Sequence, residues 1–361
     1  MEKYRFFGAL RFFLALCVVV QHFGSQIAPE SIRSAVAPFV PGNCAVMAFF
    51  VLSGFIIAEA SEIYYRGRPG AFLANRCLRL VPQFVVAMTA TIAVYLTIDV
   101  LDDEAVPNEI ITWSSIVANY GSIFPGLPFP GSRGTPGHAF ILAVWALRVE
   151  FLFYLMFALC IALAARLPEM GARTLVIVAV VPAMLFGLSR IGYAPRIFGF
   201  GPYFIFGVAA YYASKGHRTA SWIAAAALAG MLVHFSDYDS GSPIAGSYNR
   251  PAQLAILVAM VVAVLGLARL RLDGWRKIDM RLGDLSYSVY LNHAAIQAIA
   301  EYAVPSPTVT TFAIAFIGAI AYAVLMQSLT EPPLRLFRDR IRGRATVGRA
   351  ATRHPEPSAL S

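Results

Sequence analysis

Ten apolar stretches of membrane-crossing length recur along this chain, near residues 6–27, 40–60, 79–100, 139–164, 173–190, 197–213, 219–236, 251–270, 285–304 and 309–330. A bilayer core takes roughly 20 helical residues to cross, and only helices or closed barrels satisfy their backbone inside it. At 58% hydrophobic and 14% charged residues, the composition excludes an ordinary soluble domain. The expectation is an all-α integral membrane protein, a bundle of about ten transmembrane helices. The first run is long and contains Arg11, so it reads as a retained helix rather than a cleaved signal peptide, with the mature chain beginning at Met1.

The formal charge of +9 follows the connecting segments. With a cytoplasmic N-terminus, 22 of the 29 Lys and Arg fall in inside segments and five (Arg33, Arg133, Arg190, Arg196, Arg250) outside, leaving Arg11 and Arg148 within helices. That asymmetry sets both termini in the cytoplasm and makes the charge a topology signal, with no nucleic-acid partner implied. Beyond residue 338 the chain becomes an Arg-rich tail with no apolar periodicity, expected to be disordered and to touch anionic lipid. The four cysteines show no paired spacing, and no metal site is expected.

Charges inside the apolar runs carry the chemistry. Arg11 and His22 lie eleven residues apart on the first helix, about three turns plus 20°, which puts them on one face and separates them by about 16 Å along the axis. Ionisable groups in a spanning helix face a protein interior or a wet cavity. Taken alone, this helix also permits an arginine that snorkels to the headgroups and a histidine at the interface. In the second run, FFVLSGFII, the Ser53-Gly54 pair suits either close helix packing or a site. Arg76 and Arg79 are neighbours on one helix face, fit to grip phosphate bidentately or to anchor the cytoplasmic end. AVWALRVEFLFYL carries Arg148 and Glu150, as internal ion-pair members or with Glu150 orienting a catalytic imidazole. LGDLSYSVYLNHAAI sets Ser286, Tyr287, Tyr290 and His293 at helical spacing.

Two other features lead nowhere. His234 to Asp239 fits a His-x4-Asp pattern, but no Gly-rich phosphate motif follows it. There is also no Gly-x-Ser-x-Gly elbow to support a serine hydrolase. Residues 101–137 have the length of a functional loop, with chemistry that is otherwise unreadable.

Six segments in order, LRFFLALCVVVQHF, FFVLSGFII, RCLRLVP, WALRVEFLFYL, LGDLSYSVYLNH and TEPPLRLF, resemble the integral membrane acyltransferase 3 family, whose members mostly O-acetylate saccharides. The resemblance covers about residues 5–338, read as the membrane acyltransferase domain (1–338) followed by the tail (339–361). It implies a cell-membrane enzyme, in bacteria the inner membrane, that takes an acyl group from cytoplasmic acetyl-CoA or another acyl-CoA. The CoA is a donor substrate rather than a resident cofactor. The acceptor is a saccharide or glycolipid at the membrane. Carried over by motif, the resemblance makes Arg11, His22 and Glu150 catalytic and Arg76 and Arg79 donor-binding, with Ser53, Tyr287 and His293 expected at the substrate. Asn75 stands where a further Arg is common, and Ala146 where Ser is common. A multi-pass transporter or flippase using the same Arg, His and Glu is the competing class, although residues 1–165 and 166–330 show no internal repeat of the kind transporters carry.

Overall fold

Backbone amides in hydrocarbon have no water to bond, so each apolar run closes its hydrogen bonds on itself as a helix. The computed structural model describes residues 5–102, 105–107, 110–131, 137–164, 171–237, 249–270, 273–304 and 306–342, and among these there are helices and no strand. In chain order the helices are α1 (Gly8–Gln26), α2 (Glu30–Val36), α3 (Pro41–Ile63), α4 (Pro69–Leu101), α5 (Trp113–Gly121) and α6 (Val144–Ala164). They continue with α7 (Gly171–Arg190), α8 (Gly201–Ala213), α9 (Arg218–Asp237), α10 (Arg250–Leu267), α11 (Arg276–Ala303) and α12 (Val309–Arg342).

Every one of the ten apolar windows falls on a helix, and α2 and α5 lie in the connections between them. Seven of the described helices are long and apolar enough to cross a membrane: α1, α3, α4, α6, α9, α10 and α12. The other three fall short for separate reasons. Helix α8 has only 13 residues, the apolar helix described within α7 is Ala179–Arg190, and α11 is interrupted by Ser286, Ser288, Asn292 and His293, all buried. The chain is an all-α integral membrane protein.

Burial divides the bundle into a centre and a rim. The most apolar window of α3 is 72% buried, against 17% for α12, whose Ile314, Ile317 and Leu329 face outward as lipid-facing side chains do. Helix α1 packs against both α3 and α11 at the centre. Two glycines let α3 and α8 approach closely. A Cβ on Gly54 would lie 2.2 Å from the Phe204 carbonyl oxygen, and one on Gly207 would lie 2.0 Å from that of Val51. Small residues at such crossings replace the missing hydrophobic drive between helices in lipid with close van der Waals contact. Gly54 therefore packs, which leaves its neighbour Ser53 on the adjoining face.

Helices α1 and α11 run parallel in a fixed register. The buried Asp279 carboxylate accepts from the amides of Gly8 (2.9 Å) and Ala9 (2.7 Å), so α11 supplies the cap that α1 lacks in its own sequence. An anion at a helix N-terminus satisfies orphan N–H groups and meets the positive end of the dipole. Fourteen residues further along both helices, His22 meets His293 at the same offset of 271 positions.

Cations assigned to one side by the sequence gather at one end of the bundle. Arg5 pairs with Glu59 at 2.6 Å, Lys215 with Glu62, Arg335 with Asp284 and Arg338 with Glu331. At the opposite end Arg190 pairs with Asp237, and Arg250 donates to the Phe235 carbonyl at 3.2 Å. Helix α12 crosses residue 338 without a break and continues to Arg342. The tail expected beyond it, residues 343–361, lies outside the described residues.

Candidate active site

A cavity of about 690 Å³, its mouth included, lies between α1, α3, α4, α6 and α11. Its lining includes Arg11, Ser53, Arg76, Arg79, Glu150 and Tyr287, which brings together six of the eight site residues read from the sequence. The wall opposite is apolar, with Val46, Phe49, Phe50 and Leu52 of α3.

Helical spacing explains the convergence. Arg76 and Arg79 project from one face of α4 about two turns into the helix, and Pro82 follows on the same helix. The Arg76 guanidinium is buried over the rings of Phe72 and Tyr154, 5.4 and 5.5 Å from their centroids. Arg11 and Arg79, by contrast, form no ion pair with any described residue. The single carboxylate of the cavity, Glu150, is held by two hydroxyls: Ser53 Oγ donates to its Oε1 at 2.5 Å, and Tyr154 donates to the same oxygen. Three guanidiniums against one carboxylate leave an electropositive cavity with room for an anion.

Tyr154 was not among the residues singled out from sequence. Its signal was available, since it stands four residues after Glu150 and therefore on the same helix face. Tyr287 presents its ring to the cavity, while its hydroxyl donates to the Leu80 carbonyl at 2.9 Å and so ties α11 to α4. Ala146 lines the cavity wall. Asn75 points away toward α12, donating to the Arg338 carbonyl at 3.2 Å beside the Gln83–Glu331 bond of 2.9 Å. Glu331 of TEPPLRLF and the Arg338 carbonyl just past it thus fasten α12 to α4.

His22 and His293 form a second polar site, outside the cavity lining. His293 Nε2 lies 3.0 Å from His22 Nδ1, with the rings at 66° and their centroids 5.0 Å apart. Of the two roles left open for Glu150, neither an ion pair nor a bond to an imidazole is found among the described residues: the partner of His22 is another imidazole, and Glu150 belongs to the cavity. Phe49 and Tyr290 of the cavity lining meet edge to face at 6.4 Å, and Tyr290 stands three residues before His293 on α11.

Arg148 makes no ion pair with a described residue. It reaches the Leu127 carbonyl at 2.6 Å, on the connection that follows α5. That connection is ordered by Asn119, which donates to the His138 carbonyl (2.8 Å) and accepts from the Phe140 amide (3.0 Å). His234 is a packing residue. Its ring sits 4.7 Å from that of Phe200, against Gly199, where a Cβ would come within 2.6 Å of the imidazole, and Asp239 lies outside the described residues. No cluster of three metal-ligating side chains occurs among the described residues.

The family described as an acyltransferase domain, acyltransferase 3, matches residues 4–327. The exopolysaccharide production protein ExoZ of Rhizobium meliloti (strain 1021) is 27% identical over 331 residues, which cover 87% of this chain and 96% of that protein. No solved structure matches the chain. With a cationic cavity and a histidine pair set on shared helices inside the bilayer, and the match running almost end to end, this chain belongs to the acyltransferase 3 family, as a membrane acyltransferase.

Proposed function

We propose that the protein transfers an acyl group, acetyl in the simplest case, from acyl-CoA at its basic, cytoplasmic end to a hydroxyl of an exported or cell-surface saccharide. The observation that carries this reading is the cavity, where Arg11 and Arg79 have no carboxylate partner among the described residues and so offer two open cation sites to an anionic donor. The relative's name, which concerns exopolysaccharide production, supports a saccharide acceptor.

In this reading Arg79 and Arg76 hold the CoA phosphates, Arg79 bidentately and Arg76 from its seat on Phe72 and Tyr154. Arg11 stands about 16 Å below His22 along α1. That separation supports a role for Arg11 in anchoring the donor rather than in touching the carbonyl carbon under attack. Glu150, Ser53 and Tyr154 keep the cavity polar and fix its cations. The long pantetheine arm then carries the thioester past Phe49 and Tyr290 toward the histidines.

There His22 acts as general base. Its Nε2 takes the proton of the saccharide hydroxyl as the oxygen attacks the thioester carbonyl, the C–S bond breaks, and the departing CoA thiolate recovers that proton from the imidazolium. Ester and free thiol form in equal amounts. General-base assistance of this type contributes about 10²–10⁴-fold.

The test is transfer of label from radiolabelled acetyl-CoA by protein in lipid nanodiscs, against a panel of purified polysaccharides. Alkali-labile label on a polysaccharide, matched by free CoA and lost in His22→Ala, is the expected result. Release of CoA with no saccharide labelled, or equal labelling by His22→Ala, would overturn the proposal.

A further inference from the structure

A neutral imidazole in the bilayer serves as a base only when its lone pair faces the substrate rather than the protein. His293 is fully buried on α11, and both of its ring nitrogens are engaged. Nδ1 lies 3.3 Å from the Val289 carbonyl oxygen one turn earlier, and Nε2 lies 3.0 Å from Nδ1 of His22. A carbonyl oxygen only accepts, so Nδ1 of His293 carries the hydrogen. A neutral imidazole has one N–H, so Nε2 of His293 is the acceptor. His22 must therefore donate from Nδ1, and its own lone pair sits on Nε2, for which no described residue supplies a partner. In the opposite tautomer two lone pairs would face each other at 3.0 Å.

The geometry points to His293 as a positioning residue that fixes the tautomer and the ring plane of His22, through a relay running from the Val289 carbonyl to His293 to His22. This rests on the reading of His22 as the base. It also changes the part expected of His293 from the sequence, because an imidazole with no exposed surface and both nitrogens occupied does not meet the substrate. A buried carboxylate is the usual orienting group for a catalytic histidine. Here a neutral ring does that work, which avoids placing a permanent charge beside His22 in a low-dielectric interior. When His22 takes the hydroxyl proton, its Nδ1–H bond to His293 becomes charge-assisted and tightens. The parallel register set by Asp279 and Gly8 holds the two rings at this distance.

Two measurements test it. In protein labelled with ¹⁵N-histidine, with the His22 signals identified from their loss in His22→Gln, we expect a proton on Nδ1 of His22 and none on Nε2. A proton on Nε2 of the wild-type His22 would overturn the proposal without any variant being made. For turnover, His293→Gln puts an amide oxygen near the position of Nε2, keeps an acceptor for His22, and is expected to stay within about ten-fold of wild-type kcat. His293→Phe removes the acceptor, and is expected to lower kcat by about 10²-fold with the KM for acyl-CoA unchanged. Phe and Gln variants of equal kcat would also overturn the role. If His22→Gln itself kept wild-type turnover, the base assignment would fail. If His22→Gln were inactive while His293→Phe remained fully active, only the positioning role would.

Discussion

At the scale of single residues, the proposed donor and acceptor roles fall on different groups and are separable by kinetics. Arg79→Lys keeps the charge but loses the planar fork, so the KM for acyl-CoA is expected to rise roughly ten-fold while that for saccharide stays near its wild-type value. Initial rates across a grid of both substrates measure this, and an increase confined to the saccharide would reject the donor assignment. His22→Ala and His22→Gln are expected to lower kcat by about 10²–10⁴-fold at saturating substrates, with acyl-CoA still bound. The residues of the cavity were legible because each one is expensive in lipid. Arg11 and Glu150 interrupt apolar runs, Arg76 and Arg79 stand at the start of one, and charges so placed are visible in one dimension. Partners were not legible. Glu150 was open to an ion pair or to an imidazole and sits instead under Ser53 and Tyr154, and the two histidines meet each other, because which faces of two distant helices touch depends on a register that no local spacing records.

At the scale of helices, that register is held by close approaches and by the Asp279 cap. Gly54→Val drives a side chain into the Phe204 carbonyl, a backbone atom that cannot move aside, and overpacking of this kind costs about 1–3 kcal/mol. A lower melting temperature in detergent is expected, whereas an unchanged one would mean that α3 and α8 separate freely. Asp279→Ala removes both acceptors from the start of α1, a loss of about 1 kcal/mol by the usual worth of an N-cap, read in the same melting assay. The sequence announced α3 as an ordinary span and Ser53-Gly54 as ambiguous. The structure divides that pair, glycine to the α8 contact and serine to Glu150. Asp279 went unnoticed because it lies among the charges of a basic connection, where an acid looks like solvated surface.

For the whole molecule, charge segregation was readable from the sequence, while the number of full-length spans was not. Helix α8 is short, and α11 gives up hydrophobicity to the residues that form the site. Deleting residues 343–361 is expected to leave transfer activity nearly intact at matched protein levels, since the last described contacts that fasten α12 to α4, those of Glu331, Arg338 and Ile341, all precede them. Complete loss of activity on that deletion would assign the tail a part in the reaction. The common offset of 271 between α1 and α11 fixes distances along α1 against its neighbour. Under the proposed roles of Arg11 and His22 it makes α1 a ruler, with the donor's anchor at one graduation and the base at another, so the length of the arm between them is measured by the protein rather than by the substrate. One alanine inserted between Ala15 and Leu16 would turn His22 by about 100° and lift it by about 1.5 Å, while leaving Arg11 where it is. Such an enzyme should bind its donor as before and hold it out of reach of the base, and acyl chains of different length should be told apart by where they end on that scale.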